Sequence, residues 1–74
     1  MKSIFIGTRI EALKVLNLYT NLQLIFTTKN SYIDKYIDKN NLKIKYINKN
    51  NYKECFKVIA NSKCNFVLSA GLPY

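Results

Sequence analysis

The residues best suited to touching a ligand lie near the two ends of the chain. Gly7-Thr8-Arg9 follows the apolar run Ile4-Phe5-Ile6 and precedes a helical pattern, so at Gly7 the backbone can approach a bound group closely. The N–H groups of a helix's first turn hold anions, and Arg9 adds a cation beside them. The second segment, Ser69-Ala70-Gly71-Leu72-Pro73-Tyr74, ends another apolar run with small residues, then Gly and Pro, a change that opens a backbone into a crevice. Tyr74 there offers a ring on which a flat heterocycle can stack. Each segment also reads more plainly, the first as a tight β-to-α turn and the second as a strand terminator. Neither is a dinucleotide fingerprint, which needs glycines that are missing, nor a P-loop, which needs Gly-Lys-Ser/Thr.

A catalytic engine is harder to find. General acid-base chemistry needs a titratable group near the reacting atoms, and the sequence has no His. Three of the four carboxylates fall where helices start, leaving Asp38 without an obvious structural task. Cys55 and Cys64 lack a His partner for activation, and their spacing builds neither a disulfide framework nor a metal site. They read as core or near-core thiols of a reducing cytoplasm. No apolar run is long enough for a signal peptide or a membrane span, so the expected location is cytoplasmic.

The elements that position these residues follow from periodicity. Four apolar runs read as strands: Ile4-Phe5-Ile6, Leu22 to Phe26, Leu42 to Ile47, and Phe66-Val67-Leu68. Between them, Ala12, Val15, Leu16 and Tyr19, then Ile33, Tyr36 and Ile37, then Tyr52, Cys55, Phe56 and Ile59 fall at helical spacing and predict three buried stripes. Each helix opens with a capping-box pattern: Thr8 with Glu11, Ser31 with Asp34, Asn51 with Glu54. Strands alternating with single helices predict an α/β fold, Rossmann-like β-α-β-α-β-α-β, with a parallel four-stranded sheet in the order 3-2-1-4. The third run alternates Lys43 and Lys45 with Leu42, Ile44 and Tyr46, which makes it an edge; the solidly apolar first and fourth runs read as central. In that order the sheet reverses between strands one and four, and ligands bind at the carboxyl ends of those two strands, where the two segments above lie.

Seventy-four residues make one small domain, 1–74, with a thin core, since a chain of this size buries only about 60% of its unfolded surface. The net charge of +8 attracts phosphates or anionic surfaces. Eleven of the twelve basic residues are Lys spread along the chain, which fits a solvated surface as readily as a binding one. A small basic nucleic-acid-binding α/β module is therefore the alternative function. Against it, the aromatics fall largely on the predicted buried stripes, whereas a single-strand platform needs them exposed among Lys or Arg.

Ile4-Phe5-Ile6-Gly7-Thr8, followed by Ala12-Leu13 and Val15-Leu16, resembles the opening of the methionyl-tRNA formyltransferase and sugar N-formyltransferase family. Leu24-Ile25-Phe26-Thr27 looks like that family's second strand, and Asn65 to Tyr74 is similar to its fourth strand and crevice loop. The resemblance implies transfer of a formyl group from 10-formyltetrahydrofolate to an amine, with no metal. It implies a pterin pocket involving Ala70, Gly71, Leu72 and Tyr74, and an acceptor side at Gly7, Thr8 and Arg9. The family's catalytic Asn, His and Asp have no counterpart in these residues, so the expectation is the N-terminal part of such a domain, cut after strand four and inactive alone. Only Thr28-Lys29-Asn30 stands where methionyl-tRNA formyltransferases carry a long basic loop, which favours an amino sugar nucleotide over methionyl-tRNA as the acceptor. Strand four carries no guard against edge pairing, so self-association or a complementing C-terminal fragment is expected there.

Overall fold

The apolar runs form strands because β-branched and aromatic side chains pack well on a pleated surface, and here both faces of the central strand are covered. In the computed structural model, which describes residues 1–37 and 41–72, the strands are β1 (Lys2–Gly7), β2 (Asn21–Thr27), β3 (Ile44–Tyr46) and β4 (Phe66–Ala70). Helices α1 (Ile10–Tyr19), α2 (Tyr32–Tyr36) and α3 (Tyr52–Ala60) alternate with them. All pairings are parallel and the order is β3-β2-β1-β4, the α/β arrangement expected from the sequence.

Period-two alternation splits the strands between two cores. Phe5 and Ile25 pack with Leu13 and Leu16 of α1 and Ile33 of α2. Ile4, Ile6 and Phe26 pack on the opposite face with Ile47 and Cys55 of α3. One irregularity breaks the alternation: the register with β1 shifts between Ser3 and Ile4, so Ser3 pairs with Leu22 and Ile4 with Leu24. Gln23 is the extra residue of this β-bulge. Leu22 and Ile25 consequently join the same core although three positions apart.

Four expectations need correction. Of the α1 stripe Ala12, Val15, Leu16 and Tyr19, Leu16 is buried and Ala12 packs against the core, but Leu13 takes the other buried place and Val15 and Tyr19 are 58% and 77% exposed. Tyr36 and Phe56 also lie outward, at 65% and 40%. Of the three capping boxes, only Ser31 caps its helix, accepting from the Asp34 N–H at 3.2 Å. The Asp34 carboxylate reaches the N–H of Asn30, one residue before the cap, at 2.8 Å and accepts from the Tyr46 hydroxyl at 2.7 Å. At α3, Asn51 turns its side chain back to Tyr46 O and Asn48 N, and Asn48 Oδ1 takes the N–H groups of Asn50 and Asn51 instead. At α1 the residue preceding the helix is Arg9, with no side-chain cap. Finally, β4 pairs only with β1 among the described residues, so it is an edge rather than a central strand. Asp38 lies outside the described residues.

Candidate site at the carboxyl ends of strands one and four

Thr8 does not cap α1 because its hydroxyl is engaged elsewhere: Thr8 Oγ1 donates to Gly71 O at 2.8 Å. The backbone N–H of Thr8 donates to Ala70 O at 3.0 Å, and that of Arg9 reaches the same oxygen at 3.4 Å. The loop after β1 is thus fastened to the loop after β4 by one side-chain and two backbone contacts. Gly7 makes this approach possible. Its φ of 147° disfavours any side chain, and a Cβ there would lie 1.9 Å from Ala70 O. Gly71, at φ 81°, leaves room for Thr8 Oγ1 and Arg9 Cγ, each within 3 Å of where its Cβ would be.

The fastening has a chemical consequence. The N–H groups of Thr8 and Arg9, expected to face an anion, point to Ala70 O, so the cation available to a ligand is the exposed Arg9 side chain. It lines a recess of about 280 Å³ with Thr8, Ile10, Glu11 and Tyr32. Gly7, Thr8, Arg9, Ala70 and Gly71 are therefore brought together. Of these, only Thr8 and Arg9 line the recess; Gly7, Ala70 and Gly71 lie behind it in the fastening, and Leu72 packs against the α3-side core, on the other face of the sheet. Tyr74 lies outside the described residues.

Two recess residues were not among the sequence candidates. Glu11 had been assigned to a cap, and it becomes a pocket residue once Thr8 turns to Gly71. Tyr32 is the first residue of α2, and the Ser31 cap fixes that helix start near the carboxyl end of β2, next to β1. That cap was the signal that could have placed it. Tyr32 is 64% exposed and its ring centroid lies 4.6 Å from that of Tyr36. The recess thus offers a guanidinium, a carboxylate, a hydroxyl and an aromatic face. This set can orient a flat, charged molecule.

Among the described residues no three His, Cys, Asp or Glu side chains gather as a metal site, and no helix is long and apolar enough to cross a membrane. Cys55 is buried and Cys64 half-buried, both free thiols on the α3 side. Burial pushes the Cys55 thiol pKa up, Glu54 adds to the rise, and Lys45 partly opposes it. Compared with known proteins, the chain matches no family model, no curated protein and no solved structure.

Proposed function

We propose that this chain is the amino-terminal part of a formyltransferase-type domain, and that the recess between the β1–α1 loop and the start of α2, beside the fastened ends of β1 and β4, takes part in binding a folate-type formyl donor and the amine that receives the formyl group. One observation carries the reading. In a β3-β2-β1-β4 sheet the topological reversal falls between β1 and β4, and there the two resembling segments are fastened through Thr8 Oγ1 to Gly71 O and through Ala70 O.

The residues present suit part of such a ligand. Tyr32 supplies a face for a flat ring, Ile10 an apolar wall and Arg9 a partner for a carboxylate or phosphate. A recess of about 280 Å³ holds one end of a folate rather than the whole molecule. Bound 10-formyltetrahydrofolate supplies the formyl carbon; this chain's own residues bind and orient. The amine must lose a proton as its nitrogen takes the formyl group, and no His is present among these residues to accept it. An amino sugar nucleotide remains the favoured amine, with methionyl-tRNA as the other.

Amide chemical-shift mapping with 5-formyltetrahydrofolate, a stable stand-in for the donor, tests the reading. Shifts concentrated at Gly7, Thr8, Arg9, Tyr32, Ala70 and Gly71 are expected. Saturating ligand that leaves these amides unmoved overturns the proposal. In a turnover assay with 10-formyltetrahydrofolate and any amine, the chain alone should match the buffer control.

The second reading, a basic nucleic-acid-binding module, gains from one finding. Three of the aromatics expected on buried stripes, Tyr19, Tyr36 and Phe56, are at least 40% exposed, and the exposed Tyr32 and Tyr36 lie on α2 with Lys35. Shifts on α2 with a single-stranded oligonucleotide, falling away with salt, would favour it over the folate reading.

A further inference from the structure

At the opposite end of the strands lies a second pocket. Lys2 opens β1, Lys43 directly precedes β3, Lys45 lies within β3, and Lys63 precedes β4. The four line one pocket of about 340 Å³ with Ile4, Leu24 and Val58. Parallel pairing brings their backbones together at this end. The Asn65 N–H donates to Lys2 O at 2.8 Å, and the Lys2 N–H donates to Asn65 Oδ1 at 2.8 Å. On the other side, the Ile25 N–H donates to Lys43 O at 2.9 Å.

The pocket exists for two structural reasons. The β2 bulge turns Gln23 and Leu24 into it together, which a regular strand would not do. The single nine-residue helix α3 covers only part of this face and leaves Val58 at 45% exposure on the rim. Among the described residues no carboxylate lines the pocket. The carboxyl end of α3 lies beside it, at Val58 and Ser62, but a helix terminus contributes only about half a negative charge against four ammonium groups. Ser62 further reduces that contribution by donating its hydroxyl to Ile59 O at 2.6 Å.

We infer that this pocket is a binding site for clustered phosphates, and specifically for a nucleoside diphosphate whose phosphates meet Lys2, Lys43, Lys45 and Lys63 while its sugar and base rest on Leu24, Val58 and the edge of Ile4. Four lysines, two on strands β1 and β3 and two in the segments that lead into β3 and β4, match adjacent phosphates better than a single one, and the apolar floor gives purchase to the organic part. The volume is at the lower end of the roughly 300–1,000 Å³ of small-molecule pockets, which suits a mononucleotide. The site is separate from the recess beside Arg9 and Tyr32 and does not depend on the formyltransferase reading.

Calorimetric titration with ADP, with pyrophosphate, and with a thymidine oligonucleotide is the test. ADP should saturate below about 10 mM and bind more tightly than pyrophosphate, which has nothing to place on the apolar floor. Lys43→Glu together with Lys45→Glu should weaken ADP by at least about tenfold, with the charge-neutral Lys→Gln pair intermediate. Both lysines are exposed, so circular dichroism should match the parent. Cys64, half-buried in the pocket wall, provides an independent readout: its alkylation by iodoacetamide should slow when ADP is bound. Failure of ADP to saturate, parent-like binding by the double variants, or unchanged Cys64 alkylation overturns the inference. An oligonucleotide that binds more tightly than ADP also overturns it and assigns the lysines to nucleic acid.

Discussion

The two faces of the sheet are built from alternate residues of the same strands, yet they end in different states. On one, α1 and α2 close over Phe5, Leu13, Leu16, Ile25 and Ile33, none more than 6% exposed. On the other, α3 is the only covering helix among the described residues; it shelters Ile4, Ile6, Phe26, Ile47 and Cys55 but leaves Val67 at 40% and a lysine-lined pocket beside the core. The difference comes from connectivity. Two crossovers return on the first face and one on the second, so the apolar pattern of the strands does not by itself decide how much of each face meets water. The closed face is expected to contribute the larger share of the stability, and the open face leaves the lysine-lined pocket beside its core.

The largest expected contrast lies in core truncation. Leu13→Ala empties a fully enclosed site and should cost about 2–5 kcal/mol, while Ile59→Ala on the half-covered face should cost roughly 1–2 kcal/mol. Urea melts giving equal losses would mean that the α3 face is as closed in solution as the other. The next contrast is between helix starts. Ser31→Ala removes the one side-chain cap observed and should cost about 0.5–2 kcal/mol. Asn48→Ala should destabilise more than a change at Glu54, because Asn48 rather than the expected Asn51–Glu54 box holds the N–H groups before α3. Overlaying melts for Ser31→Ala and the parent would refute the α2 assignment.

A third contrast is in pH dependence. The folded Cys55 thiol has a raised pKa, chiefly from burial, so the folded state favours the protonated form more than the unfolded state does. Its contribution is therefore complete below the ordinary thiol pKa and is lost as pH rises through that value toward the folded one. The parent should lose stability across the alkaline range more steeply than Cys55→Ala, as followed by melts at successive pH values. Parallel curves would show that the thiol is not desolvated. The smallest effect on stability is expected for Val67→Lys on the exposed face of β4, which should leave the melt nearly unchanged while reducing self-association in sedimentation. Association that persists unchanged in the variant would show that the β4 edge is not the contact.

Much of this was legible in the sequence, and the misses have identifiable causes. The strand runs, the β-α alternation, the sheet order and the edge position of the Lys43–Lys45 strand follow from composition and period. The buried stripe of α1 was not legible, because Ile10, Leu13 and Leu16 satisfy helical spacing as well as Ala12, Val15 and Tyr19 do. Only the loop that delivers the helix from β1 selects between them. Thr8 was readable as a cap but is claimed by Gly71, 63 residues away. The bulge at Gln23 leaves no mark in a run of alternating residues, so neither Leu22's place in the core nor the amino-end pocket could be anticipated. At the candidate site, the glycines and Thr8 were legible from local chemistry. Tyr32 and Glu11 were not, since their roles depend on how separate elements meet.

The pairing of β1 with β4 also sets the order of events during synthesis. β1 is made before both of its partners, and one of them is not complete until Ala70. Between Gly7 and Ala70 the ribosome adds about 60 residues, which takes roughly 3–12 s at about 5–20 residues per second. Throughout that interval one edge of Ile4-Phe5-Ile6 has no native partner, although β2 can already occupy the other. Contacts between such distant segments form slowly because the loop must close before they reward it. A nascent chain is therefore expected to bind a chaperone through residues 2–7 and to release it only when β4 has arrived.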